Sequence, residues 1–198
     1  MPDRDQLPEL IESERLVIRV ARPGDGGIFN EAIIESLNEL SPWLGWVTPP
    51  PTVDQSEFAC RSAYARFLLN EDLMALFMLR GTGALVGGSG LHNANWDLQQ
   101  FEVGYWARTR FAGRGLITEG VRALTDHAVT VLEASRVYLT TDEKNTASWR
   151  LAERAAFQLE GTLRNERLDL AGNLRNTRVY ATTGPDLAYM DSRREEKG

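Results

Sequence analysis

The chain has 198 residues, of which 42% are hydrophobic and 25% charged, and its formal net charge is −6 at pH 7. This composition is typical of a soluble globular protein, and the length suits one domain with a sizeable core. The acidic balance excludes a protein that binds nucleic acid broadly through a basic face. A single cysteine, Cys60, excludes an internal disulfide and favours a reducing cytoplasm.

Targeting and metal-binding signals are lacking in the sequence. No apolar run approaches the length of about 18 residues that a membrane span needs, and the N-terminal residues lack the apolar segment of a signal peptide. Cys60, His92 and His127 have no metal-ligand spacing, so we expect no metal. We expect one domain over residues 1–198, with frayed polar tails at 1–11 and 188–198.

The predicted elements begin with a strand over residues 15–21, where the apolar positions Leu16, Ile18 and Val20 alternate with a set that includes the polar Arg15 and Arg19. Two helices follow. They are expected over residues 27–40 and 53–69, with the prolines at 49–51 in the loop between them. Three strands come next, over 72–80, 84–91 and 99–107, and the first two meet at the hairpin turn Gly81-Thr82-Gly83.

The second half continues with a helix over residues 115–132, in which apolar residues recur at spacings of three and four. A strand at 137–141, a helix at 145–156 and two strands at 158–170 and 174–183 complete the chain. This order of elements predicts an α+β fold: a central mixed, mostly antiparallel sheet of about seven strands with helices on both faces.

The most informative segment is Arg110-Phe111-Ala112-Gly113-Arg114-Gly115, which joins a predicted strand to a predicted helix. Successive backbone N–H groups at a helix start, together with the helix dipole, form an anion site. Arg108, Arg110 and Arg114 add positive charge, and residues 105–117 contain no acid. The pattern favours a pyrophosphate ligand, and the alternative is a strand-to-helix turn that glycines merely close. It matches neither a Walker A loop nor a dinucleotide fingerprint.

Six segments in order resemble the GNAT acetyltransferase superfamily, and most of all its ribosomal-protein N-terminal acetyltransferases, which modify a terminal serine or alanine. They are Pro42-Trp43-Leu44-Gly45-Trp46, Leu85-Val86-Gly87-Gly88, Phe101-Glu102-Val103-Gly104-Tyr105-Trp106, Arg110 to Glu119, Asn145-Thr146-Ala147-Ser148, and Phe157 to Gly161. The resemblance covers about residues 12–184.

The resemblance implies direct transfer of an acetyl group from acetyl-CoA to a primary amine, with both substrates bound together and no metal. The implied acceptor is a protein N-terminal α-amine. A small-molecule amine, such as an antibiotic or a polyamine, is one alternative, and a non-catalytic CoA-binding sensor is another. The resemblance also implies a homodimer, and we expect neither a nucleic acid nor a membrane as partner.

Cofactor contacts are implied along a strand, the glycine loop and the two helix starts. The residues are Tyr105, Trp106, Ala107, Arg108, Arg110, Phe111, Ala112, Gly113, Arg114, Gly115, Leu116, Ile117, Thr118, Asn145 and Ser148. The pantetheine arm needs two strands that splay apart, expected at residues 105–108 and 137–141, so that its amides pair with strand edges. Backbone N–H groups near Tyr105 and Trp106 are candidates for the oxyanion site.

Two catalytic roles are implied in addition. Ser148 is the candidate general acid for the leaving thiolate, although Asn145 and Ser148 also suit an ordinary helix start, with Asn145 as N-cap. Glu102 and Glu166 are competing candidates for the general base. Each is alternatively a solvated or structural carboxylate, and a one-residue shift would put Arg167 in the place of Glu166.

The acceptor pocket is the least determined part of the sequence. Trp43 and Trp46 either form walls of this pocket or anchor their loop to the core. His92 is interpreted as a surface residue and His127 as a helix-face residue, neither of them catalytic. An α-amine has an ordinary pKa of about 7.7–8.0, so a modest base would suffice for such an acceptor.

Overall fold

Residues 6–186 of the chain are described by a computed structural model, and they form nine strands in one sheet. The strands are β1 (Leu10–Glu12), β2 (Leu16–Val20), β3 (Leu73–Leu79), β4 (Leu85–Asn95), β5 (Gln100–Glu102), β6 (Tyr105–Ala107), β7 (Arg136–Asp142), β8 (Gln158–Leu168) and β9 (Leu174–Thr182). Their order is β1-β2-β3-β4-β5-β7-β9-β8, and β6 pairs with β4 beside this path. Only the β5–β7 pair is parallel among these strands, which confirms the predicted mixed, mostly antiparallel sheet.

Helices cover both faces of the sheet, as predicted. They are α1 (Gly26–Glu35), α2 (Leu37–Leu40), α3 (Val53–Leu68), α4 (Leu116–Thr130) and α5 (Thr146–Arg154). Successive residues of a strand point to opposite faces. In β3, Leu76 packs with the apolar residues of α1, whereas Phe77 packs with those of α4. The periodic apolar stripe of α4 is buried at Val121, Leu124 and Ala128, so this helix closes the larger core.

The strand count differs from the predicted seven for two reasons. The prediction left residues 1–11 in a frayed tail, but Leu10–Glu12 pairs with β2, and Leu7 before it is buried. The single strand predicted over 99–107 is interrupted at Val103-Gly104 and forms β5 and β6. The predicted tail at 188–198 lies outside the described residues.

One predicted helix is also divided. The helix expected over 27–40 is interrupted at Ser36, whose hydroxyl donates to the carbonyl of Ala32 at 2.8 Å. Ser36 also accepts a hydrogen bond from the backbone N–H of Thr109. The other predicted helices agree with α3, α4 and α5 to within a few residues. Across residues 6–186, none of the helices combines the length and apolarity that crossing a bilayer requires.

Candidate active site

Two neighbouring strands separate at the interruption between β5 and β6. β5 pairs with β7, and the backbone N–H of Val103 still donates to the carbonyl of Tyr138 at 2.7 Å. After this point β6 turns to pair with β4, while β7 continues along β9 as far as Asp142. A cavity of about 480 Å³, which we call the strand cleft, opens between β6 and β7. The strands thus part where the sequence predicted a splay.

The strand cleft is lined by part of the predicted cofactor set. Seven of these residues contribute to its wall: Tyr105, Trp106, Ala107, Ala112, Ile117, Asn145 and Ser148. Leu116, by contrast, is 4% exposed and belongs to the hydrophobic core. Phe111 is partly buried against the same core.

The glycine loop has an open backbone. Gly113 and Gly115 both have φ of +75°, a left-handed conformation that glycine adopts without strain. A Cβ at Gly113 would meet nothing within 4 Å, so a ligand can approach the backbone closely there. The backbone N–H of Glu119 bonds to the carbonyl of Gly115, and the N–H groups of residues 116–118 precede this first helical bond. These features fit the phosphates of a nucleotide cofactor.

The charge around this loop differs from the sequence-based prediction. Arg108 is 5% exposed, and its guanidinium pairs with Glu31 and Glu35 of α1. Arg110 also binds Glu35, with its Nε 2.8 Å from Oε1, and this bond together with Arg108 lowers the pKa of Glu35 to about 2. Arg114 instead lies over the ring of Phe111. Glutamates of α1 therefore neutralise two of the three predicted cations. The sequence did not reveal this pairing because the partners lie far apart along the chain.

Two hydroxyl groups meet in the strand cleft. The Oγ of Ser148 lies 3.3 Å from the hydroxyl oxygen of Tyr105, and the Tyr105 hydroxyl donates to the carbonyl of Ser148 at 2.8 Å. Burial raises the pKa of Tyr105 to about 12, so this phenol keeps its proton at neutral pH. The sequence analysis named Tyr105 for its backbone only. Its side chain was missed because the contact with Ser148 spans 43 residues.

Asn145 is the N-cap of α5, as the interpretation of this segment as an ordinary helix start predicted. Its Oδ1 accepts a hydrogen bond from the backbone N–H of Ser148 at 3.1 Å. The same residue also lines the strand cleft. The cap therefore fixes the position of Ser148 at the cleft wall.

The two candidate bases each contact a residue that lines the strand cleft. Glu102 accepts hydrogen bonds from Asn93 at 2.7 Å and from Thr140 at 3.4 Å. Glu166 pairs with Arg167, which lowers the pKa of Glu166, and it also accepts a hydrogen bond from Thr177. Among the described residues that line the strand cleft and the second cavity treated below, neither glutamate occurs, whereas Arg167 lines the cleft.

A second cavity, of about 690 Å³, is lined by α1, α3 and the loop between them together with strands β3, β4 and β6. We call it the lateral cavity. It shares four wall residues with the strand cleft: Leu44, Gly104, Tyr105 and Trp106. The two cavities therefore meet at the interruption between β5 and β6.

The two predicted pocket tryptophans line different cavities. Trp43 lines the strand cleft. Trp46 lines the lateral cavity and stacks on Phe29 of α1, with ring centroids 6.1 Å apart. The Trp46 side chain is also half exposed. It lines a cavity and, through its contact with Phe29, packs its loop against α1.

His92 has a partly exposed side chain and a carboxylate partner that the sequence did not reveal. Its Nδ1 lies 3.0 Å from Oδ2 of Asp72, and it lines the lateral cavity. Its side chain is 34% exposed and that of Asp72 is 11% exposed. No sequence signal linked these two residues, which are 20 positions apart. His127 is partly buried in α4, where burial lowers its pKa, in agreement with a helix-face residue.

Parted strands, an open glycine loop at a helix start and a hydroxyl pair suit an acyl-group transferase. Residues 15–158 match the family described as acetyltransferase (GNAT) domain. The chain belongs to this family and is an N-acetyltransferase, as the sequence resemblance predicted.

Several individual proteins are similar to this chain in sequence or in fold. The chain is 29% identical over 153 residues to the putative ribosomal N-acetyltransferase YdaF of Bacillus subtilis, which covers 77% of this chain and 83% of that protein. A probable acetyltransferase of known structure is 26% identical, with a TM-score of 0.81 over 89% of this chain and 98% of the other. RimL, a ribosomal L7/L12 α-N-protein acetyltransferase solved in complex with coenzyme A, shares the fold at 19% identity, with a TM-score of 0.82 over 88% of this chain and 98% of that one.

Proposed function

We propose that the chain transfers the acetyl group of acetyl-CoA directly to the N-terminal α-amine of a protein. The observation that carries this proposal is the strand cleft, which has the open backbone of Gly113 near one end and the Ser148–Tyr105 hydroxyl pair along its wall. A pyrophosphate and a thioester at the two ends of an extended pantetheine arm suit these two features.

On the donor side, the backbone does most of the binding. The edges of β6 and β7 that border the cleft can pair with the amides of an extended pantetheine arm. The N–H groups at the start of α4 can hold the pyrophosphate, helped by Arg114. Arg108 and Arg110, which are bound to Glu35, act instead to hold the loop against α1.

In the reaction, the amine nitrogen forms a bond to the thioester carbon, and the carbon–sulfur bond breaks. The leaving sulfur then needs a proton. We assign this proton donation to Ser148 and Tyr105 acting as a unit, because both side chains carry a hydroxyl proton and their oxygens lie 3.3 Å apart.

A protein α-amine is favoured as acceptor by chemistry and by similarity. Its ordinary pKa is about 7.7–8.0, against about 10.4 for a lysine side chain, so much less free energy is needed to deprotonate it. The Bacillus subtilis relative is named as a putative ribosomal N-acetyltransferase. We extend that name to this chain as a proposal.

The test is a mass-spectrometric transfer assay with acetyl-CoA. The acceptors are peptides that begin with Ser, Ala or Met, the same peptides with a blocked N-terminus and an internal lysine, polyamines and aminoglycosides. We expect acetylation of the free α-amines and not of the blocked peptides. Transfer only to lysine, polyamines or aminoglycosides would contradict the proposed acceptor. Binding of acetyl-CoA without transfer to any amine would contradict the proposed transfer reaction.

A further inference from the structure

The lateral cavity contains a histidine–carboxylate pair that the proposed reaction does not yet use. His92 on β4 and Asp72 in the turn before β3 are joined by the 3.0 Å contact between Nδ1 and Oδ2. When Nδ1 carries the proton and donates it to the carboxylate, the other ring nitrogen, Nε2, holds a lone pair and can accept a proton.

The imidazole lies over the point where the two cavities meet. A Cβ on Gly90 would come within 2.4 Å of Nε2 of His92, so only glycine leaves room for the ring there. A Cβ on Gly104 would lie 3.9 Å from the same nitrogen. Gly104 belongs to the wall that the lateral cavity shares with the strand cleft. A group held beside Nε2 is therefore next to the strand that borders the thioester position.

The position of this ring is fixed by its neighbours. The hydroxyl of Ser89 donates to the carbonyl of Gly104 at 2.7 Å, which ties β4 to the wall. Asp72 is nearly buried, and among the described residues its Oδ1 has no hydrogen-bond donor; the ion pair of this oxygen with Arg66 of α3 spans 3.6 Å. A carboxylate held in this way orients the imidazole.

We propose that the acceptor amine enters the lateral cavity and that His92 is the base that takes its proton, with Asp72 as the positioning residue. This inference rests on the proposed function and names the acceptor side of the same site. A volume of about 690 Å³ suits the first residues of a peptide, since ligand pockets commonly measure about 300–1,000 Å³. Trp46 and Phe29 form the apolar wall that contacts the terminal side chain.

The protons balance as follows. The ammonium group gives one proton to Nε2 of His92, which leaves a neutral amine whose lone pair attacks the thioester carbon. As the carbon–sulfur bond breaks, the hydroxyl pair gives a proton to the sulfur, and the second proton of the nitrogen passes to the hydroxyl pair, which is thereby restored. In total one proton is released to water, from His92, and one stays on the thiol.

The groups that face His92 are few. Asp72 and Arg66 lie on the side of β3 and α3, Glu102 is its partner in register on β5, and Tyr105 lines the same cavity. Glu102 is already bound to Asn93 and Thr140. Glu102→Gln and Glu166→Gln are therefore the comparison variants for the role of base.

The experiment measures kcat/KM for the preferred α-amine peptide at pH 7.0 and pH 9.0. The proteins are the wild type, His92→Gln, the two glutamate variants, and His127→Gln as a matched histidine control on α4. We expect His92→Gln to lose about 100-fold at pH 7.0 and only about tenfold at pH 9.0, where an amine of pKa about 7.7–8.0 arrives already neutral. Asp72→Asn should change the pH profile in the same direction.

Binding of acetyl-CoA, followed by calorimetry, should stay within twofold of the wild type in His92→Gln. A merely structural role for His92 would give equal losses at both pH values, and this result would overturn the assignment. So would a loss below threefold at pH 7.0, or a larger loss in Glu102→Gln or Glu166→Gln. If the wild type acetylates no amine, the proposed function itself fails, and the inference falls with it.

Discussion

The conformation of Gly113 allows the donor site to be tested with a matched pair of alanine substitutions. Gly113 and Gly81 have φ of +75° and +81°, and a Cβ at either position would meet nothing within 4 Å. Alanine in this left-handed region costs about 1–2 kcal/mol at both positions. Gly113→Ala and Gly81→Ala should therefore lower the free energy of unfolding by similar amounts.

Their effects on acetyl-CoA should differ. The new methyl group at position 113 stands between the loop backbone and the pyrophosphate, whereas position 81 is in the β3–β4 turn. A hydrogen bond to a charged group contributes about 1.5–3 kcal/mol, and about 1.4 kcal/mol already corresponds to a tenfold change in affinity. We expect Gly113→Ala to weaken acetyl-CoA binding at least tenfold and Gly81→Ala to leave it within twofold.

Calorimetric titration with acetyl-CoA gives the affinities, and urea unfolding without ligand gives the stabilities. The comparison separates a lost contact from general strain, because strain alone lowers stability in both variants. Wild-type affinity in Gly113→Ala, or an equal loss of affinity in Gly81→Ala, would show that the loop does not hold the pyrophosphate.

Two further predictions concern the hydroxyl pair and the loop anchor. Ser148→Ala and Tyr105→Phe should each lower kcat roughly tenfold or more with acetyl-CoA affinity nearly unchanged, and the double variant should be little worse than the poorer single one; full turnover in both single variants would remove the role. Glu35 has its pKa lowered from 4.5 to about 2 by Arg110 and Arg108, so its stabilisation is complete above about pH 4.5 and is lost as the pH falls toward 2. The difference in urea midpoint between wild type and Glu35→Gln should shrink over that interval, and a constant difference would contradict the assignment.

Most of the secondary structure could be predicted because its signals are local. The alternation in Leu16–Val20 and the three-and-four spacing in α4 each reflect one buried face, and both elements were predicted within a few residues. The strand Leu10–Glu12 has only three residues, too few for alternation to be recognised. The break at Val103-Gly104 depends on β4 pairing with two strands in succession, which a sequence window does not contain.

The candidate site likewise contains features that local sequence patterns predict and features that depend on the tertiary fold. The glycine loop and Asn145 at the start of α5 are local patterns. The structure shows positive φ angles at the two loop glycines and the side-chain cap at Asn145. The pairing of Arg108 with Glu35 and of His92 with Asp72 joins residues 73 and 20 positions apart. Charge and ring type alone do not predict such partners, since the tertiary fold brings them together.

The helix α1 lines the lateral cavity and is also bound to the segment that leads into the glycine loop. Phe29 lines the lateral cavity, and Glu35, six residues later, holds Arg108 and Arg110 beside the glycine loop. Six residues of α-helix span about 9 Å and move together. Any displacement of α1 that one ligand favours thus changes the affinity for the other. Such cooperativity must be reciprocal. The factor by which a bound peptide raises the affinity for the nucleotide equals the factor by which the bound nucleotide raises the affinity for the peptide.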